Sequence, residues 1–312
     1  MKKSLLIVIL IITTGFGLQA QQMPMYGQYL FNSTVINPAQ AGTLSHNQAG
    51  ILGRYQWVGI DGAPTAHTAF ANLILPYDLG VAAGIFQDQV GPLREISFQA
   101  DISYKAQISR DWFLAAGLRT MTSSMALDMS MMEEVNNDPL FNSDLSTGFR
   151  INMGMGLLLF SENHFIGIAM PRAVNVMKRE SHTPTNHLFF YGGSTFGITR
   201  EITIAPAFLF KNVALAPAQL DISIIGCYDN LVDFGPVIRT NMAKDVVDAI
   251  GFTAGLNISE NWYFGYMYEY PANRIRTSTV QTHEISLRYQ WESSQSTNRR
   301  SPSIFLYNRR RR

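Results

Sequence analysis

The feature that most constrains this chain is an alternation of apolar and polar side chains that returns again and again along its length. From Arg94 to Lys105 one face reads Ile96, Phe98, Ala100, Ile102 and Tyr104, and the other Glu95, Ser97, Gln99, Asp101, Ser103 and Lys105. Successive side chains of a strand point to opposite faces, so a period of two marks a strand with one apolar and one polar side. Ile151, Met153, Met155, Leu157 and Leu159 oppose Asn152, Gly154 and Gly156 in the same way, and Ile250, Phe252, Ala254, Leu256 and Ile258 oppose Gly251, Thr253, Gly255 and Asn257. The pattern closes with Trp262 to Tyr270, and with His283, Ile285, Leu287, Tyr289 and Trp291 opposite Thr282, Glu284, Ser286, Arg288 and Gln290.

Two all-β architectures bury such faces: a soluble sandwich, or a barrel whose apolar side meets lipid. About 14 strand candidates fall between residues 46 and 291, with short connections at Tyr77-Asp78, Ser109-Arg110, Ser161-Glu162-Asn163, Arg200, Asp229-Asn230 and Ser259. Longer ones fall at 59–64, 122–146, 172–185, 211–216, 241–245 and 271–279. A strict alternation of short and long connections between an even number of ~10-residue strands is the layout of a bacterial outer-membrane barrel. Trp112, Trp262 and Trp291 fall at strand ends on the short-turn side, where an interfacial girdle places such rings. The same assignment turns Arg54, Glu95, Asp101, Lys105, Arg119, Asp221, Glu269, Glu284 and Arg288 inward. On the lipid side an Arg or Lys at mid-depth would cost about 2–4 kcal/mol. A sandwich core accounts for the Trp and Tyr content, but not for the turn alternation. The expected fold is therefore a transmembrane outer-membrane β-barrel of about 14 antiparallel strands with a short N-terminal plug-like segment.

Composition and the termini fit this layout. Charged residues make up 15% of the chain against about 25% in soluble domains, while 46% is apolar. Beyond residue 20 no stretch approaches the ~18 consecutive apolar residues of a spanning helix. Lys2 and Lys3, the apolar run Leu5 to Ile12 and Ala20 read as a secretory signal over residues 1–20. Residues 21–45, rich in Tyr, Phe and Pro, are expected either to fold back as a plug on the periplasmic side or to serve as a clamp leading the first strand, ahead of a barrel over 46–291. The lone Cys227 forms no internal disulfide. Residues 292–312 form a basic tail, expected in the periplasm and able to meet periplasmic or peptidoglycan-associated components. The two leader lysines and the tail's six arginines less Glu292 outweigh the formal net charge of +1, leaving −6 for the rest. No nucleic-acid partner is implied.

Nothing points to catalysis, a cofactor or a metal. His46, His67, His164, His182, His187 and His283 lack metal-ligand spacing, and phosphate-binding, dinucleotide, nucleophile-elbow and paired-cysteine motifs are absent. The 25-residue connection from Thr122 to Ser146 exceeds the usual loop length. It carries Met125, Met129, Met131 and Met132 beside Glu133 and Glu134, and flexible methionines suit either an adaptable protein interface or a lid over the lumen.

Several blocks carry a resemblance. Gln28-Tyr29-Leu30-Phe31-Asn32, Ile36-Asn37-Pro38-Ala39 with Ala41-Gly42, Arg54-Tyr55-Gln56-Trp57-Val58-Gly59-Ile60-Asp61-Gly62-Ala63-Pro64, Asn137-Asp138-Pro139-Leu140-Phe141, and His283 to Tyr289 resemble the PorP/SprF family over roughly Gln22 to Trp291. The resemblance implies an outer-membrane barrel of Bacteroidota tied to the type IX secretion system. Its implied role is to export, or hold at the surface, cargo with a C-terminal sorting domain, including gliding adhesins. Gln40 stands where the family often carries an aromatic residue. The motif positions to follow are Asn37, Pro38 and Gly42, a turn start and a block end, and Trp57, Gly59, Asp61, Gly62 and Pro64, where turn chemistry is expected ahead of ligand binding. A passive or hydrophobic-substrate channel is the alternative function.

Overall fold

The computed structural model describes residues 25–128, 145–176, 186–213, 216–242, 247–272 and 281–293. Fourteen long strands follow one another: β1 (His46–Val58), β2 (Thr65–Ile74), β3 (Leu79–Val90), β4 (Leu93–Gln107), β5 (Phe113–Leu127), β6 (Arg150–Phe160), β7 (His164–Asn175), β8 (His187–Ser194), β9 (Ile202–Val213), β10 (Gln219–Tyr228), β11 (Val232–Asn241), β12 (Val247–Asn257), β13 (Trp262–Pro271) and β14 (Gln281–Glu292). Each pairs antiparallel with the next, and β14 returns to β1 with Ser286 opposite Leu52 and Glu284 opposite Arg54. The closed sheet presents no free edge. Two-residue pieces at Leu145–Ser146 and Phe196–Gly197 lie against β5 and β9.

Register follows from the alternation, because a one-residue slip would exchange the two faces of a strand. The β4–β5 pair runs without a break from Leu93 opposite Leu127 to Gln107 opposite Phe113. Along β4, Ser97, Gln99, Asp101, Ser103 and Lys105 are buried inside the ring, while Phe98, Ile102 and Tyr104 are 44–54% exposed outside it. The outer wall repeats this on other strands, with Leu118, Met155, Ile168, Ile224, Phe252 and Ile285 exposed. An apolar surface encircling a whole molecule is far larger than the patches water-soluble monomers carry, so lipid is its solvent. At one end, Trp262 packs on Tyr289 at 4.9 Å and Tyr289 on Trp291 at 5.8 Å, a belt of amphipathic rings at the level of the tight turns.

Two expectations are corrected. The turn and loop alternation is not strict: β3 and β4 are joined by Gly91-Pro92 alone, at the end where the longer loops lie. Gly91 takes a left-handed φ of 55° and its N–H donates to the Gly62 carbonyl at 2.8 Å, so the 59–64 loop props this tight turn. The long connection also begins later than the pattern shows. β5 continues through Leu127 because the 15-residue β4 offers partners as far as Leu93, and Met125 points into the ring as a buried wall residue rather than lying in a loop.

Inside the ring runs the segment from Met25 to Ser45, with two 3-10 turns at Ser33–Val35 and Pro38–Gln40. Residues 26–29 and 31–44 are buried. Met25 lines the loop-end mouth together with Trp57 and Pro64, and Ser45 leads into β1 at the turn end. The segment therefore traverses the lumen instead of filling one mouth. Tyr29, Ile36 and Ala39 pack on Phe113, Leu158, Phe160, Phe165, Phe189, Tyr191 and Leu209 of β5 to β9. Tyr26, Phe31 and Val35 pack on Leu52, Ala66, Phe70, Phe86 and Tyr263 across the ring.

Candidate functional site

The interior is the site this fold builds, and its chemistry begins with charge. Inward positions on neighbouring strands set Asp101 opposite Arg119, Asp221 opposite Arg239 and Glu284 opposite Arg54. Opposite charges in directly facing positions support each other. Arg119 grips Asp101 with two bonds of 2.7 and 2.8 Å. Arg54 joins Glu284 to Glu269, the latter at 3.0 Å, and Arg239 joins Glu269 at 2.9 Å to Asp221 at 3.2 Å. The result is a belt of five charges over β10, β11, β13, β14 and β1.

These charges also hold the plug. Glu284 accepts the backbone N–H groups of Gly27 and Gln28 at 2.7 and 2.9 Å. Arg119 donates to the carbonyls of Thr34 and Val35, the second at 2.9 Å. Asn72 accepts the N–H of Gly42 at 2.7 Å, and the Ser103 hydroxyl donates to the Ala41 carbonyl. An irregular buried backbone must place its polar groups somewhere, and here the wall supplies the partners. Arg288 lies beside the packed pair of Phe31 and Tyr263, 5.3 and 5.0 Å from their ring centres, a cation–π contact joining plug to wall. The Tyr26 hydroxyl shares a hydrogen bond of 2.5 Å with the Thr68 hydroxyl on β2.

The fit is steric as well as polar. Asn37 caps the second turn by accepting the Ala39 N–H at 2.8 Å, and its amide donates to the Leu157 carbonyl at 2.9 Å and the Tyr191 hydroxyl at 3.0 Å. Pro38 opens that turn, where its missing N–H costs nothing. Gln40 fills the variable position of the block by donating to Tyr191 at 2.8 Å. The wall is recessed to receive them. A Cβ on Gly117 would lie 2.3 Å from Ala39 N, and one on Gly156 would lie 2.0 Å from the Asn37 side-chain oxygen. Gly42, at φ 65°, ends the block with its Cα against Gly80 of β3.

A family model described as type IX secretion system membrane protein PorP/SprF matches residues 18–289. The chain belongs to the PorP/SprF family. No curated protein matches it. Among solved structures, this PorP/SprF chain is similar to the toluene transporter TbuX of Ralstonia pickettii at 10% identity, TM-score 0.52, over 83% of this chain and 93% of that one. It is similar to the CymD monoaromatic hydrocarbon channel at 12% identity, TM-score 0.50, over 87% and 94%. A mutant of the TodX monoaromatic hydrocarbon channel aligns at 12% identity, TM-score 0.51, over 84% and 94%. At such identity the likeness concerns the fold, an outer-membrane-type barrel. As a PorP/SprF protein it is a membrane component of the type IX secretion system.

The second motif block lies apart from the plug contacts just described, at the loop-end rim. Trp57 takes φ 53° where the β1–β14 register shifts, a bulge that turns the chain out of the strand. Gly59 and Gly62 follow at φ 106° and 71°, and the Pro64 carbonyl accepts the Gln56 N–H at 2.9 Å to close the loop. Asp61 is exposed at its tip. Trp57 and Pro64 also line a vestibule of about 440 Å³ above the plug. Met129, Met131, Met132, Glu133 and Glu134 lie outside the described residues. Sequence reasoning missed Gly117, Gly156, Tyr191 and the pairing of Glu284 with plug amides. The one available signal was the repeated glycine at inward strand positions, which marks close approach of another backbone.

Proposed function

We propose that this PorP/SprF protein is a non-enzymatic outer-membrane component of the type IX secretion and gliding system that assists the export or surface anchoring of cargo carrying a C-terminal sorting domain. The observation that carries this reading is the plug. A lumen filled by residues 26–44, with wall glycines recessed around their backbone, is built to stay shut. A barrel closed in this way acts through what its rim and loops bind, not through what crosses it. The long connection around residues 129–144, with its methionines and acids, is the surface we assign to cargo.

A second reading, passage of small apolar solutes, draws on the likeness to hydrocarbon channels and a toluene transporter. One experiment separates the two. Deleting the gene is expected to lower the surface display of proteins with a C-terminal sorting domain and leave uptake of aromatic hydrocarbons unchanged. Unchanged display with reduced uptake overturns the proposal.

A further inference from the structure

The lipid-facing wall is not uniform. Towards the turn end of β9, β10 and β11 an apolar slot of about 430 Å³ opens outward. Register explains its shape. In the outward row that crosses these strands, Ile204 stands opposite Gly226 and Gly226 opposite Phe234, so the middle position carries no side chain. Along β10, Ile224 and Tyr228 flank Gly226 two positions away on either side, and each stands about half exposed. The slot is therefore floored by Gly226 and walled by large apolar and aromatic groups. A second feature deepens it. The β10–β11 ladder runs from Gln219 opposite Asn241 to Ser223 opposite Val237 and resumes at Gly226 opposite Phe234. Pro236, which has no N–H to give, stands in this break while keeping Phe252 of β12 as its other neighbour. Proline inside a sheet is otherwise confined to edges and bulges. A Cβ on the inward Gly235 would lie 2.0 Å from the Ile224 carbonyl oxygen, so β10 steps to the inner side here and the outer surface is recessed. Behind the recess Ile225, Ala205 and Cys227 pack with Leu30 of the plug, which separates the slot from the lumen.

Packing within the protein does not call for this glycine. Gly117 and Gly156 make room for the plug, but a Cβ on Gly226 would meet only the Phe234 carbonyl oxygen, at an ordinary 3.7 Å. We propose that the slot is a binding site for one acyl chain of a phospholipid in the leaflet at the turn end. It is continuous with the wall that lipid already covers, and no charged side chain lines it. A chain lying in the slot touches protein beneath and on both sides, where a chain on the plain wall touches it beneath only. Each added carbon contact gains dispersion energy. An apolar cavity of about 150 Å³ holds one benzene, and on that scale about 430 Å³ takes most of one chain. A protein partner fits less well. Within lipid, apolar burial gives no drive to associate, and partners are held by runs of small residues or by polar bonds. Gly226 is the only small outward-facing residue that lines the slot.

The test places the intact barrel, purified from outer membranes, in vesicles containing phosphatidylethanolamine with a photoactivatable diazirine on one acyl chain. After illumination, mass spectrometry is expected to find the label on residues 202–206, 224–228 and 234–236 about fivefold above the outward positions of β2 to β5, the ratio that roughly 1 kcal/mol gives. Gly226→Leu, which fills the floor where a side chain meets no obstacle, is expected to bring that label down to the level of the remaining wall. Gly226→Ala is expected to fall between the two, and it decides the matter alone if the leucine variant fails to insert. Even labelling around the wall, or equal labelling of the parent barrel and the inserted variants, overturns the proposal. Benzoylphenylalanine at position 204, illuminated in living cells, identifies the occupant. A phospholipid adduct supports the proposal, and a crosslink to a second copy of the chain or to another protein overturns it. None of these readouts depends on secretion, so the cargo reading stands or falls separately.

Discussion

At the scale of single residues, the lumen is held by contacts that tolerate little change. Gly117→Ala would drive a Cβ to 2.3 Å from Ala39 N, against backbone that cannot swing aside. Overpacking of this kind costs about 1–3 kcal/mol, and the expected outcome is a barrel that inserts but whose plug is cut by added protease, read by mass spectrometry. Arg119→Met would leave Asp101 buried without its two guanidinium bonds. Removing one partner of a buried pair costs about 3–5 kcal/mol, whereas replacing both with apolar residues is often neutral. Urea unfolding in lipid vesicles should therefore show a large loss for Arg119→Met and partial recovery when Asp101→Leu is added, since the plug carbonyls of Thr34 and Val35 stay unpaired in both. Gly59 is a different case: its φ of 106° lies where an L side chain is rarely tolerated, so Gly59→Ala is expected to cost about 1–3 kcal/mol at the rim without loosening the plug.

At the scale of elements, the plug and the wall play opposite parts. The wall is stable because closure satisfies every strand and lipid solvates the outer face, so Ile102→Lys, at an exposed wall position midway along β4, is expected to cost about 2–4 kcal/mol in the same unfolding assay. The plug has no regular ladder of its own beyond two short turns, and its order depends on the wall. Planar-bilayer recordings test this division. The intact barrel is expected to show no steady conductance, and a chain lacking residues 25–44 to show open-channel currents; currents of equal size from both would show that the plug does not seal the lumen.

At the scale of the whole molecule, a closed barrel with a charged interior belt becomes a fixed platform with two faces. The loop end carries the vestibule, the Trp57 to Pro64 rim and the connections to which we assign cargo. Deleting residues 129–144 is expected to lower surface display of cargo while the barrel remains heat-modifiable on gels. Removing residues 299–312, in which six of fourteen positions are arginine, tests the basic tail. Display is expected to fall if that tail meets periplasmic components and to stay normal if it does not.

How much of this was legible in the sequence follows from the range of each interaction. The period-two pattern is local, so the strands of β4 or β14 and their inward charges could be read almost residue by residue. The Asn37-Pro38 turn and the glycines of the rim were legible for the same reason, since turn chemistry acts over a few residues. Where β5 stopped was not legible, because its last residues are strand only through the length of β4 beside them. The plug's path was hidden altogether: Glu284 meets Gly27 across 257 positions, and Tyr191 meets Asn37 across 154. Alternating side chains thus determined a membrane barrel from the chain alone. Only closure of the sheet, which brings distant strands around one short segment, decided that the lumen is filled and which residues hold it shut.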